Sequence, residues 1–157
     1  MGDAVTSIPA AINYSAAGDY ADEVRAFAII ESGENEYAIG DGGQSLGILQ
    51  MHPATFRRYY CAILAFAPAT DDTWTTAFIK ACATFLRAHL WLNAPQEERD
   101  LIVQAWNLGE HAVFVEGRRN PEYLARWLAA YDNTRRKRGD LQLTLKAERS
   151  GAEHAIK

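Results

Sequence analysis

The sequence predicts a mainly helical α+β domain, with a small irregular β-hairpin region following one apolar helix. Three observations point there. Apolar residues recur at helical spacing through most of the chain. One stretch, residues 33–46, carries four Gly and loses that period. No low-complexity linker, fixed-period repeat or composition break divides the 157 residues, so one domain is expected, with its core at about 18–139 and a C-terminal tail at 140–157.

The elements follow in order. A segment starting at Asp19 or Tyr20 sets Ala21, Val24, Phe27, Ala28 and Glu31 at helical spacing, with Asp22 and Glu23 in its first turn and Gly33 as its stop. Residues 33–46 then read as a loop or irregular hairpin. Pro53 at a first helical position opens a helix to about Phe66. Asp71 and Asp72 are placed to cap a longer helix with Trp74, Ala77, Phe78, Ala81, Phe85 and Leu92 on one face. Pro95, with Glu97 and Glu98, opens the next, which closes at Gly109. Asn120-Pro121 starts the last helix, running to Arg135-Arg136-Lys137-Arg138, with Gly139 after it. Four bases in a last turn favour the helix dipole, and that explains them better than a nucleic-acid patch does. From Asp140 the tail alternates Leu141, Leu143 and Leu145, then turns polar, with order expected to fade beyond Arg149.

Composition narrows the function classes. At 48% hydrophobic and 23% charged, the chain is neither disordered nor collagen-like. No apolar run has membrane-spanning length. A formal charge of -4 argues against nucleic acid as the main partner, since phosphate binding leans on clustered positive charge. The charge is uneven: residues 1–56 hold eight acids and one base, residues 110–157 seven acids and ten bases. A polarised cleft would use that asymmetry, and so would a plain solvated surface. Cys61 and Cys82 are too few for a disulfide framework; they read as small buried hydrophobes, with a bridge between them left open. His52, His89, His111 and His154 show no metal-ligand spacing, so no metal and no cofactor are expected. The N-terminal residues lack a basic stretch ahead of an apolar one, so no secretory signal is expected.

The most informative stretch is residues 29–53. Glu31 ends an apolar helix beside Ile29 and Ile30. A carboxylic acid in an apolar wall has its charged form desolvated and can hold a proton near neutral pH, as a general acid for glycosidic cleavage must. A second acid, Asp41, follows in the Gly-rich loop. Two carboxylates on opposite sides of a cleft can supply acid and base to a sugar linkage. Glu34 and Glu36 crowd the same segment, where mutual repulsion would help keep one acid protonated.

These residues resemble a known family. Glu31-Ser32, then Gly40-Asp41, then Gly47-Ile48-Leu49-Gln50 are similar to the catalytic Glu-Ser and Gly-Leu-Met-Gln segments of goose-type lysozymes and soluble lytic transglycosylases. Downstream, Ala105-Trp106-Asn107-Leu108-Gly109 resembles the family's Ala-Tyr-Asn-Ala-Gly, and residues 123–131 resemble its closing Tyr-containing helix. The ordered set spans about residues 20–135.

The resemblance implies a lysozyme-like fold and cleavage of the β-1,4 linkage between N-acetylmuramic acid and N-acetylglucosamine, with Glu31 as general acid/base. Asp41 becomes the candidate base. Gly47 would let the chain pass close to the sugar, and Gln50 and Asn107 would bind hydroxyl or N-acetyl groups. Ser32 or Ser45 would fix a carboxyl or acetamido group, and Tyr131 would lie near Glu31. Two positions depart from the pattern. Trp106 replaces a Tyr, giving either a sugar-stacking platform or a core residue, and His52 stands where goose-type enzymes carry a further Asp. The expected partner is the peptidoglycan glycan strand, bound by a monomer. Muramidase and lytic transglycosylase both stay open, with chitin as an alternative substrate and a non-catalytic glycan-binding or structural module as an alternative role. The expected setting is cytoplasmic synthesis with action at the cell wall, as a phage lysin, a virion enzyme or a protein of specialised export, or else a leader absent from this chain.

Overall fold

The computed structural model describes residues 11–60 and 72–155. Helix α1 (Ala21–Ser32) is the axis of the molecule. Its Val24, Ala26, Phe27 and Ala28 are all inaccessible to solvent, so it is walled in on most sides instead of showing one apolar stripe. It stops at Gly33, whose left-handed backbone (φ 63°) directs its N–H to Ile29 O at 3.0 Å, while Glu34 N–H reaches Ala28 O.

Around α1 stand α2 (Pro53–Tyr59), α3 (Trp74–Ala88), α4 (Gln96–Leu108), α5 (Glu110–Phe114) and α6 (Pro121–Ala155). Short 3-10 segments cover Tyr14–Tyr20, Asp41–Gly43 and Trp91–Asn93. Strands β1 (Ile39–Gly40) and β2 (Ser45–Leu46) pair antiparallel, Ile39 opposite Leu46 and Gly40 opposite Ser45. Among the described residues the protein is therefore mainly helical with one small hairpin, as the sequence predicts at that level.

Aromatic rings fill the junction of the helices. Phe27 of α1 meets Trp106 of α4 (centroids 5.4 Å apart) and Trp127 of α6 (5.3 Å). Phe85 of α3 also packs on Trp106, and Trp91 on Trp127. Offset and edge contacts of this kind add to the burial of large apolar area. No described helix is long and apolar enough to cross a membrane.

Several elements differ from the sequence reading. The cap of α3 is Thr73, whose hydroxyl accepts the Thr76 N–H at 3.1 Å. Asp72 instead receives the Tyr60 hydroxyl and the Lys80 ammonium, pulled away by two donors stronger than a backbone amide; Asp71 lies outside the described residues. Helix α3 ends at Ala88, so Leu92 falls in a 3-10 turn, exposed, while its neighbour Trp91 is buried. The expected extension of α2 beyond Tyr60 lies outside the described residues, as does Cys61; Cys82 is a buried free thiol.

Helix α6 runs on through Gly139 to Ala155, leaving Leu141, Leu143 and Leu145 exposed. A lone Gly costs a helix only about 1 kcal/mol, and here the neighbours are mostly good helix formers. The four bases are therefore mid-helix. Arg138 pairs with Asp22 at 2.6 Å, tying α6 to α1, and Arg135 lies over the Tyr131 ring.

Gly47 has the most demanding position of the hairpin region. Its φ is +74°, and a Cβ there would lie 2.5 Å from a ring carbon of Phe78. Gly47→Ala should destabilise the protein by about 2–3 kcal/mol, combining a left-handed backbone with overpacking. Urea unfolding of the two proteins checks this; an unchanged midpoint would remove Phe78 as the reason for glycine.

Candidate functional site

Glu31 occupies the last turn of α1, one turn beyond Phe27 and so on the same face. Its carboxylate is mostly buried and accepts a hydrogen bond from the Tyr123 hydroxyl at 2.8 Å. Tyr123 is itself buried in the first turn of α6, where the Asn120 side chain caps its N–H at 3.1 Å. Asn120 is fixed in turn by Gln104 of α4, whose side-chain oxygen accepts the Asn120 N–H at 2.7 Å. Arg126, one turn along α6, donates to Ile30 O at 3.1 Å.

Burial raises the pKa of Glu31 above the ordinary carboxylate range. The Tyr123 hydrogen bond and the Arg126 charge pull it down, the Asp41 charge pushes it up again, and His52 opposes that push. Desolvation, more than acid crowding, sets the direction. Glu34 is turned to other partners, the Tyr14 hydroxyl at 2.7 Å and Arg25 at 2.9 Å.

Asp41, Ser45 and His52 meet across the hairpin. Ser45 Oγ donates to Asp41 Oδ2 at 2.5 Å and lies 3.0 Å from His52 Nε2, which is 3.5 Å from the same carboxylate oxygen. These contacts hold the Asp41 carboxyl below its ordinary pKa, so it stays ionised while largely exposed. One ring nitrogen faces both partners, and the serine donates to the carboxylate instead of to the imidazole. That is the wrong order for a nucleophilic serine, which needs histidine between hydroxyl and acid. The cluster positions a carboxylate.

Other residues singled out from the sequence have structural tasks. Ser32 donates to Ile48 O at 2.6 Å and accepts the Asn35 N–H, pinning the loop to the end of α1. The Gln50 amide donates to Ala38 O at 3.0 Å and Gly47 O at 2.9 Å, bracing the hairpin from within. Gly47 leaves room for the Phe78 ring and lines the larger groove described below. Asn107 is exposed and accepts from the Asn120 side chain at 2.8 Å, two residues' contacts away from Glu31. Tyr131 is not beside Glu31: it stacks on Trp127 and hydrogen-bonds Glu23, a second mostly buried acid on α1. The helix turns Tyr123, two turns earlier, toward the catalytic candidate. Tyr123 lies within the segment resembling the family, but spacing alone does not choose between its two tyrosines.

A further cluster gave no sequence signal. Glu110 accepts from the Tyr59 hydroxyl, faces His89 Nε2 at 2.5 Å and pairs with Arg58 at 2.6 Å. Glu110, Tyr59 and Arg58 border a pocket of about 190 Å3 walled by Phe85 and Trp106. A larger apolar groove of about 990 Å3, lined by Tyr37, Leu46, Gly47, Trp74 and Phe78, does not include Glu31.

No protein-family model matches the chain, and no significant match is found among curated proteins or solved structures.

The raised pKa of Glu31 fixes a sign. The folded state holds the Glu31 proton more tightly than the unfolded state, so this group lowers stability as pH rises through the ordinary Glu range and up to the raised value. Glu31→Gln should therefore be more stable than the wild type at pH 7.5, with the gain fading below about pH 4. Urea unfolding at both pH values tests it, and a gain independent of pH would contradict the assignment.

Proposed function

We propose that this protein is a lysozyme-like glycosidase that cleaves the β-1,4 linkage after N-acetylmuramic acid in peptidoglycan. The observation that carries the reading is the environment of Glu31: a mostly buried carboxyl at the end of an apolar helix, its pKa raised by desolvation, with an ionised Asp41 near enough for its charge to act on it. Two acids pushed in opposite directions are the arrangement expected of an acid and its companion base. The Glu-Ser, Gly-Ile-Leu-Gln and Ala-Trp-Asn-Leu-Gly segments support the same reading by resemblance.

In this mechanism Glu31 gives its proton to the bridging oxygen as the C1–O bond breaks. Tyr123 holds the carboxyl in place and then stabilises the carboxylate left behind. Water attacks C1 from the opposite face, and its proton passes to Asp41. Ser45 and His52 keep Asp41 ionised and aimed; the water-positioning role of the family's further Asp is not carried over to His52. A fixed, ionised Asp41 favours the hydrolase over the transglycosylase, in which the muramic acid 6-hydroxyl attacks C1 and Glu31 alone takes the proton.

Glu31→Gln should lower the rate on purified cell walls by at least about a hundredfold, since the amide has no proton to give. Undiminished clearing would remove Glu31 from the chemistry. Asp41→Asn should lower it by at least about tenfold, and mass spectrometry of the wild-type products should show reducing muramic acid ends. Anhydro-muramic ends with an active Asp41→Asn protein would establish the transglycosylase instead. Cleavage of chitin oligomers but not cell walls would shift the substrate, and binding without product would leave a glycan-binding module.

A further inference from the structure

The backbone and side chain of Asn120 are both fully engaged, and their bonds divide between two helices. Toward α4, the Asn120 N–H donates to Gln104 Oε1 at 2.7 Å and the side-chain amide to Asn107 Oδ1 at 2.8 Å. Toward α6, Oδ1 accepts the Tyr123 N–H at 3.1 Å and the carbonyl accepts the Leu124 N–H at 3.2 Å. Asn120 thus caps α6, with Pro121 at the position where a missing N–H costs nothing.

Gln104 and Asn107 are three positions apart, on one face of α4, but differ in burial. Asn107 is exposed, whereas Gln104 is only 4% accessible. The Gln104 Nε2 is held by Asp100 O at 3.0 Å, so its amide cannot turn without leaving buried polar atoms unpaired. Its oxygen is a fixed point. From there the bonds run to Asn120, to the first turn of α6, and through the Tyr123 hydroxyl to Glu31 Oε1 at 2.8 Å. The other ties between α6 and α1, at Arg126, Trp127 and Arg138, all lie beyond Tyr123 along the helix.

Resting on the glycosidase reading above, we infer that Gln104 is a positioning residue for Glu31, acting through Asn120 to set where the Tyr123 hydroxyl meets the carboxyl. Gln104 acts on the acid without touching it, as a support that keeps the contacting group in place.

The groups facing Glu31 give the effect a sign. Desolvation raises its pKa; against that, Tyr123 and Arg126 of α6 favour the ionised form, Asp41 of the hairpin region opposes it, and His52 favours it. Cys82 of α3 is near enough to feel the Glu31 charge, but its thiol is pushed up, by burial first, and stays neutral. Burial and the Glu31 charge push Tyr123 up as well, so it remains a donor. A Tyr123 hydroxyl out of line therefore lets the Glu31 titration move upward.

The test is the titration of the Glu31 carboxyl, followed by carbon-13 NMR of labelled glutamate with Glu31→Gln assigning the signal. Gln104→Leu, which has no acceptor, should move the midpoint upward, to a value between the wild type and Tyr123→Phe. Ile102→Val, a core truncation on the same helix, should lower the urea midpoint and leave the Glu31 titration where it is. An unmoved titration in Gln104→Leu, or an equal shift in Ile102→Val, overturns the inference. Should Gln104→Leu fail to fold, Asn120→Ala and Asn120→Ser give the answer. The serine keeps both a cap and the N–H that Gln104 holds, so it should titrate as the wild type while the alanine shifts upward; equal behaviour of the two overturns the inference. On purified cell walls, Gln104→Leu should lose at least about fivefold in rate while its alkaline limb moves upward with the NMR midpoint. The two readings fail separately. Wall cleavage by the wild type with an unmoved titration in Gln104→Leu sinks the positioning role alone, and a shifted titration without wall cleavage by the wild type sinks the glycosidase alone.

Discussion

Most of what distinguishes this molecule follows from the burial of one helix. Helix α1 is held by the ring of Phe27 between Trp106 and Trp127, with inaccessible alanines and Val24 closing the other sides. The C-terminal end of this helix carries a carboxyl against that apolar wall. Glu31 sits there, on the Phe27 face and against Tyr123. Its perturbed acidity is thus a consequence of the aromatic nucleus. The same packing that stabilises the fold removes water from the carboxylate, and the Tyr123 hydroxyl returns part of the lost solvation.

The hairpin is built by a different physics. Its strands have two residues each, too few to stand alone, and little of it is buried. It is held by side chains that bond to backbone: Ser32 to Ile48 O, and Gln50 to Ala38 O and Gly47 O, with a bridge between Leu46 and Met51. Asp41 and Gln50 both take positive φ, a conformation that costs a non-glycine residue of order 1 kcal/mol or more. The surrounding bonds hold them there. Asp41 thereby faces Ser45 and His52 instead of relaxing into solvent. Residues that resemble a sugar-binding signature are in this chain largely the braces of that loop.

The two polar clusters differ in what they leave open. Around Glu110, three donors converge on one carboxylate and satisfy it, so the exposed chemistry moves outward to Arg58. Around Asp41, both contacts fall on a single oxygen, and the carboxylate remains largely exposed to water. The first arrangement presents a cation and the second an anion.

How much of this was legible depends on the range of the interaction. Helix positions, the stop at Gly33, the hairpin at residues 39–46 and the placement of Glu31 at an apolar helix end follow from local rules of period, capping and turn chemistry. Where two local signals competed, the sequence was ambiguous: Gly139 reads as a stop, yet the helix runs through it, and Asp72 reads as a cap, yet Tyr60 and Lys80 claim it. The partner of Glu31 was beyond local rules altogether. Tyr123 and Tyr131 share a helix, and only the angle at which α6 crosses α1, set by Trp127 on Phe27 and by Arg138 on Asp22, turns Tyr123 to Glu31 and Tyr131 to Glu23. By itself the sequence determined where most helices and the hairpin form and that Glu31 ends an apolar helix, because those depend on neighbours along the chain. The tertiary structure alone decided which groups meet that acid and which gather round Glu110, because those contacts join residues up to 92 positions apart.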